Sequence, residues 1–177
     1  SRILERKRAL QPMLKGQPAT LAEAIEAARR LIGAARHPLA LVSNWGSNEE
    51  LDAFKLHLGE IFHAFAKRDC AAEEGERIED ELLIRADKNP NTAKAEELFD
   101  AGTPAYHDGT DLVLAWGEGC DFSKIPPRAR VILLNAYLAP ENGHADVFIP
   151  ISVQTERAGH YTNFAGVVSA FEPCFPK

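Results

Sequence analysis

The spacing of hydrophobic residues follows two different patterns along the chain. Residues 39–43, 112–116 and 131–134 are short, nearly continuous apolar runs, which are typical of strands buried on both faces of a parallel sheet. Outside these runs, apolar residues recur at three- and four-residue spacing in two segments, 21–32 and 51–61. This spacing predicts amphipathic helices. Further short strands are predicted at residues 62–66, 82–84 and 146–149. This alternation predicts an α/β domain with a mostly parallel sheet of about five strands and helices on both faces.

The predicted helices have recognisable starts. Thr20 with Glu23, and Ser47 with Glu50, form capping boxes in which each side chain can bond a backbone N–H at the beginning of a helix. A third helix is predicted to begin with Thr92 as its cap, because the preceding loop is rich in proline and asparagine.

These elements divide the chain into three segments. Residues 19–150 form the α/β domain, residues 1–18 are a polar and helical N-terminal segment, and residues 151–177 are an extended segment that packs on the domain or leaves it. The chain opens with serine and its only methionine is Met13, so we expect a fragment of a larger protein.

Composition narrows the class of protein and of partner. The 177 residues are 45% hydrophobic and 26% charged, as in folded domains that dissolve in water. No apolar run approaches the roughly 18 residues of a membrane helix, so we expect no direct membrane span and a cytoplasmic location. The formal net charge of −6 would repel a phosphate backbone, so we expect no nucleic-acid partner.

The residues that most often carry chemistry are scattered. Cys70, Cys120 and Cys174 form no CxxC pair, and no two of the six histidines have the spacing of metal ligands on one helical face. The common nucleotide-binding and nucleophile motifs are missing too. We therefore predict no metal and no catalytic residue in this chain.

Two stretches near the C-terminus carry a family resemblance. They are Ala-Asp-Val-Phe-Ile-Pro at residues 145–150 and Thr-Glu-Arg-Ala-Gly-His-Tyr-Thr-Asn-Phe-Ala-Gly at residues 155–166. Together they resemble the molybdopterin oxidoreductase superfamily, which has a strand ending in proline, then an acid, and later Thr-Asn before a glycine. The resemblance implies an α/β domain of that type.

A further segment resembles one branch of that superfamily. Leu-Leu-Ile-Arg-Ala-Asp-Lys-Asn-Pro-Asn-Thr at residues 82–92 is similar to a loop in the large iron–sulfur subunit of bacterial NADH-quinone oxidoreductases, the respiratory complex I family. That likeness implies a structural domain of a respiratory complex, in the peripheral arm at the cytoplasmic face of the inner membrane. Its partners would be other subunits of the complex. The iron–sulfur clusters would lie elsewhere in the parent subunit, and this chain would hold no cofactor.

Departures from the family pattern indicate an eroded cofactor site. Members with a cofactor have Gly-Glu-Asn-Pro where residues 117–120 are Gly-Glu-Gly-Cys, and an aspartate where this chain has Asn135. Losing such donors and acceptors leaves a pocket unable to offset the desolvation of a nucleotide. The vestigial cofactor-binding candidates, each equally suited to capping a turn, are Asp87, Asn89, Asn91, Glu118, Asn135, Thr162 and Asn163.

Two other functions remain open from the sequence. The chain could be a domain of a catalytic molybdenum or tungsten oxidoreductase of the formate dehydrogenase type, binding part of a pterin guanine dinucleotide through the same candidates. It could also be a free-standing α/β module that binds another ligand.

Overall fold

The fold is organised around one twisted sheet. The computed structural model describes residues 7–68, 87–104 and 106–174. Seven strands form the main sheet in the order β2-β1-β7-β6-β5-β3-β4. Their bounds are β1 Met13–Leu14, β2 Gln17–Pro18, β3 Pro38–Ser43, β4 His63–Lys67, β5 Leu112–Trp116, β6 Arg130–Asn135 and β7 Val147–Pro150.

The sheet is parallel from β4 to β7. The neighbouring pairs β3–β4, β3–β5, β5–β6 and β6–β7 all run parallel, and only the short strands β1 and β2 extend the sheet in antiparallel fashion beyond β7. The sequence prediction of an α/β fold with a mostly parallel sheet is confirmed.

The central strands are apolar because both of their faces are covered. In β5, the side chains of Leu112 and Leu114 belong to one buried cluster, and those of Val113 and Ala115 belong to the cluster on the opposite face. Successive side chains of a strand point to opposite faces, so a strand covered twice needs apolar residues throughout.

Three α-helices accompany the sheet in the described part of the chain: α1 Leu21–Ala34, α2 Asn48–Leu58 and α3 Thr92–Leu98. Both predicted capping boxes are present, Thr20 with Glu23 and Ser47 with Glu50. The predicted cap of α3 is wrong. Asn91 occupies the cap position without a side-chain cap bond, and the hydroxyl of Thr92 accepts a hydrogen bond from the Asn44 amide instead.

All three described helices pack on the same face of the sheet. Their buried residues, Ala24 and Ala28 of α1, Leu51 and Phe54 of α2, and Ala95 of α3, belong to a single hydrophobic cluster. The opposite face is covered by side chains from loops and short 3-10 turns, among them those of Ala9, Ile125 and Ala145. The expectation of helices on both faces is therefore not met within residues 7–68, 87–104 and 106–174.

The segments at the two ends of the chain add strands. Residues 7–18, which the sequence predicted as helical, contain β1 and β2 and a bridge from Arg8 to Tyr137, so that expectation is wrong for these residues. After β7 the chain forms a separate hairpin of β8 Gly159–Thr162 and β9 Val168–Phe171. β8 lies against α2 and α3.

Element positions agree closely with the hydrophobic pattern. The strands predicted at 39–43, 62–66, 112–116, 131–134 and 146–149 each lie within one residue or so of an observed strand. The strand predicted at 82–84 lies outside the described residues. No helix in the described part of the chain is long and apolar enough to cross a membrane.

Leu51 on α2 offers a direct test of this packing. Its side chain is fully buried in the helix-side cluster, whereas Leu56 on the same helix is 74% exposed. We expect Leu51→Ala to lower the free energy of unfolding by about 2–5 kcal/mol, because the deletion leaves a cavity in the core. Leu56→Ala is the matched control and should change it by less than about 0.5 kcal/mol in urea denaturation. Equal losses from the two variants would contradict the assigned orientation of α2.

Candidate functional site

The strand order marks one place where a ligand would be expected. From β3 the chain moves to β4 on one side, whereas β5, β6 and β7 follow on the other side of β3. In open parallel sheets, ligands bind at the carboxyl ends of the strands where the order reverses. Here that point lies between the loop after β3, residues 44–47, and the loop after β5, residues 117–121.

The loop after β3 leads directly into α2 and is tightly packed at Gly46. A Cβ atom added to Gly46 would lie 2.8 Å from the Trp116 ring and 2.9 Å from the Leu51 side chain. The backbone N–H of Ser47 donates to the Glu50 carboxylate, and that of Glu50 donates to the Ser47 hydroxyl. Two backbone donors at the beginning of α2 are thus satisfied by its own side chains.

Asn91 joins three segments beside this helix start. Its side chain is fully buried. The amide nitrogen donates to the Gly46 carbonyl at 2.8 Å and to Asn48 Oδ1 at 3.0 Å, and the amide oxygen accepts from the Thr162 backbone at 2.8 Å. Asn48 also exchanges hydrogen bonds with the Thr162 hydroxyl. The predicted candidates Asn91 and Thr162 are therefore brought together, and each bonds to the protein itself.

Asp87 and Asn89 lie next to the same network. The backbone and side-chain nitrogens of Asn89 both donate to Asp87 Oδ1, and the Trp45 indole donates to Asn89 Oδ1 at 3.1 Å. Burial acts to raise the pKa of Asp87, but hydrogen bonds from Thr92 and Asn89 and the charge of Arg68 together hold that pKa below its usual value. The Asp87 carboxylate stays ionised and orders the loop.

The side chains of Arg157 and His160, at the beginning of the C-terminal hairpin, cover the start of α2. Arg157 forms a salt bridge with Glu50 and donates to the Trp45 carbonyl at 2.9 Å. Both the backbone and the ring of His160 contact the Glu49 carboxylate, with 2.5 Å between Nδ1 and Oε1. Although burial acts to raise the pKa of Glu49, these hydrogen bonds lower it to about 2. Sequence reasoning gave none of these four residues, Glu49, Glu50, Arg157 and His160, a place in a site.

The remaining predicted candidates lie apart and shape turns. Asn135 Oδ1 accepts from the backbone of Ala136 at 2.7 Å, and Asn163 Oδ1 accepts from the backbones of Ala165 and Val167. The carbonyl of Glu118 accepts a hydrogen bond from the Lys67 ammonium. Among the seven candidates, Asn91 bonds to Thr162 and Asn89 bonds to Asp87, whereas the other three take no part in either pair: Glu118, Asn135 and Asn163.

A cavity of about 500 Å³ also opens at the carboxyl edge, and none of the seven candidates lines it. Leu41 and Phe65 form its buried floor, and Lys67, Tyr106 and Cys120 form half-buried walls. Its position at the ends of β3, β4 and β5 is where this class of fold binds ligands. Sequence reasoning missed the cavity because its lining comes from four separate stretches.

Tertiary structure also gathers histidines that the sequence scatters. His37, His63 and His107 line one open cavity of about 280 Å³ at the amino ends of β3 and β4. The rings of His37 and His107 lie edge to face at 5.7 Å, and His63 contacts Asp100 at 2.7 Å. In the described ranges, no group of three or more His, Cys, Asp or Glu side chains has a geometry that could hold a metal ion.

Comparison with known proteins adds no family to this geometry. No protein-family model matches the chain, and no curated protein matches it. The resemblance to molybdopterin oxidoreductases stays a prediction from short motifs, so the contacts described above must support any functional proposal.

Glu49 gives the hairpin attachment a pH dependence. The pKa of Glu49 is lowered from 4.5 to about 2 in the folded protein, so its stabilising contribution is complete above pH 4.5 and is lost as pH falls toward 2. We expect Glu49→Gln to lower the free energy of unfolding at pH 6 by less than about 1 kcal/mol, because the pair is half exposed. Urea denaturation from pH 6 to pH 3 should show this difference shrink below pH 4.5. The exposed Glu60→Gln is the control, and a difference that grows on acidification would contradict the assignment.

Proposed function

We propose that this chain is a structural, non-catalytic domain of the molybdopterin oxidoreductase type, from the large iron–sulfur subunit of an NADH-quinone oxidoreductase. In this proposal the domain braces the peripheral arm at the cytoplasmic face of the membrane and contacts neighbouring subunits. The iron–sulfur clusters lie elsewhere in the parent subunit. The motif resemblance at residues 82–92, 145–150 and 155–166 supplies the family.

The closed start of α2 is the observation that carries the non-catalytic part of the proposal. A dinucleotide at the switch point of such a sheet places its phosphates on the backbone donors of a helix start. Here the carboxylates of Glu49 and Glu50 lie at that position, paired with His160 and Arg157. A phosphate arriving there would meet two negative charges and would have to displace the hairpin.

The hydrogen bonds of the vestigial cofactor-binding candidates also support a non-catalytic domain. Asn91 makes three hydrogen bonds through its side chain, all of them within the protein. Thr162 and Asn89 are likewise engaged with Asn48 and Trp45. A ligand would have to replace these bonds rather than add to them, so it would gain little net free energy from them. The residues present do not fit a pterin dinucleotide at the switch point.

A second candidate function is that of a domain from a catalytic molybdenum or tungsten oxidoreductase. The cavity at the carboxyl edge, beside β4, favours this alternative. Gly117 and Gly119 adopt positive φ in the loop after β5, which lets backbone approach a ligand closely. Glu118 between them matches the family's glutamate. This alternative requires a dinucleotide to contact the β5 loop.

Sequencing the parent gene upstream of this segment would separate the two functions. We expect an N-terminal ferredoxin-like region with many cysteines, because the redox centres of the proposed subunit lie there. An upstream single metal-ligating cysteine or selenocysteine, without that region, would favour the catalytic alternative. A gene that encodes neither would contradict both.

Titration with GDP tests the closed site directly. We expect no heat of binding up to millimolar GDP, because the helix start is already occupied by carboxylates. Micromolar binding that is weakened by Glu118→Gln would overturn the structural proposal and favour the catalytic alternative. The matched control is Glu141→Gln, which changes an acid in the neighbouring 3-10 turn.

A further inference from the structure

The hydrogen-bonding register of the C-terminal hairpin fixes which way its backbone groups point. At the turn, the N–H of Asn163 donates to the carbonyl of Val167 at 3.0 Å. Hydrogen-bonded and non-hydrogen-bonded pairs alternate along antiparallel strands. The next pair, Thr162 with Val168, is therefore non-hydrogen-bonded, and the backbone N–H and C=O groups of both residues point away from the hairpin. The same holds two residues further on, at position 160 of β8 and position 170 of β9.

The outward N–H groups of β8 already have partners in the domain. The N–H of Thr162 donates to Asn91 Oδ1 at 2.8 Å, and the N–H of His160 donates to Glu49 Oε2 at 3.1 Å. These two bonds agree with the register of the hairpin. They attach the β8 edge to the start of α2 and to the loop before α3, so the domain itself covers that edge.

The outward groups of β9 lie on the opposite edge of the hairpin. Val168 is 56% exposed, and Ala170 is exposed as well. In the part of the chain that the structure describes, no hydrogen bond reaches the backbone N–H or C=O of either residue. An edge strand of this kind offers a row of donors and acceptors to another strand. The partner that fits it is an extended backbone.

β9 lacks the features that commonly keep an edge strand from pairing. Proteins protect such edges with charged side chains, with proline or with a bulge. β9 has the sequence Val-Ser-Ala-Phe, pairs with β8 without a bulge, and follows the exposed Val167. Like charges directly opposite each other would destabilise the pairing of a strand with its own copy. This uncharged strand meets no such repulsion, so its edge is compatible with itself.

One register joins two β9 edges symmetrically. A two-fold axis at Ser169 places Val168 of one copy opposite Ala170 of the other, and these outward-pointing residues can then exchange N–H···O bonds. Ser169 lies opposite its own copy. Val167 lies opposite Phe171, and a β-branched side chain against an aromatic ring is a stabilising cross-strand pair. Every side chain in this interface is uncharged.

The two neighbouring symmetric registers fit less well. An axis at Val168 would place Ala170 opposite Gly166, whose N–H already donates to the Asn163 carbonyl. An axis at Ala170 would place Val168 opposite the charged side chain of Glu172. The axis at Ser169 is therefore the register that the backbone and the side chains both favour.

We propose that β9 is a dimerisation edge, at which the hairpins of two copies of this chain join into one four-stranded antiparallel sheet. The strand order across the two-fold axis is β8-β9-β9-β8. A two-stranded hairpin is marginally stable by itself, and a sheet of three or more strands is more stable. The inference concerns the chain itself and does not depend on the function proposed above.

Sedimentation equilibrium of the whole chain, from about 5 μM to about 1 mM, tests the proposal. We expect a monomer–dimer equilibrium without larger species, because a two-fold interface closes on itself. Ala170→Pro removes the outward N–H and should weaken association by about tenfold or more. Ala170→Thr keeps that N–H and is the matched control, with association within about twofold of the unaltered protein. Far-UV circular dichroism checks that both variants fold.

A disulfide tests the register and covers the case in which Ala170→Pro loosens the hairpin. Residues in a non-hydrogen-bonded pair have Cα atoms about 4.5 Å apart, which a disulfide can span. Under mild oxidation, Ser169→Cys should therefore give a covalent dimer linked between the two substituted positions, as identified by peptide mass spectrometry. Val168→Cys is the matched control. It should cross-link at least about tenfold more slowly, because position 168 lies opposite Ala170 rather than opposite its own copy.

Three results would overturn the proposal. A chain that stays monomeric at about 1 mM would leave the β9 edge to solvent or to a strand of another protein. A dimer that Ala170→Pro does not weaken would have its interface elsewhere on the molecule. Equal rates of cross-linking for Ser169→Cys and Val168→Cys would contradict the two-fold axis at Ser169.

Discussion

The attachment of the C-terminal hairpin depends on one buried amide. Asn91 has no exposed surface, and its side chain bonds the loop after β3, the first residue of α2 and the backbone of β8. An isolated two-stranded hairpin is at most marginally stable in water. The pair β8–β9 is therefore held in place by what it contacts, and Asn91 is the fully buried side chain among those contacts.

The same attachment occupies the place where this class of fold commonly binds an anion. A helix start at the switch point of a parallel sheet attracts anions, through unpaired backbone donors and the helix dipole. In this protein Glu49 and Glu50 already place negative charge there, where Arg157 forms a salt bridge with Glu50 and His160 of β8 hydrogen-bonds to Glu49. The electrostatics that would bind a phosphate instead stabilise the join between domain and tail.

The hydrogen-bond network around Asn91 covers only part of the carboxyl edge of the sheet. A cavity opens at another part of that edge. The cavity beside β4 combines an apolar floor, formed by Leu41 and Phe65, with the half-buried side chains of Lys67, Tyr106 and Cys120. Whether this region binds a ligand is decided by its local geometry and chemistry rather than by the fold.

The sequence by itself determined α1, α2 and the five parallel strands of the sheet. The apolar runs mark β3, β5 and β6, and the capping boxes mark α1 and α2, because burial and capping act on neighbouring residues. It could not place all three described helices on one face, or give residues 13–18 strand pairing, since these depend on what the chain packs against. It selected Asn91 and Thr162 but did not pair Glu49 with His160 or Glu50 with Arg157. Only tertiary structure decided that they meet, because contacts between residues more than a hundred positions apart leave no periodic signal.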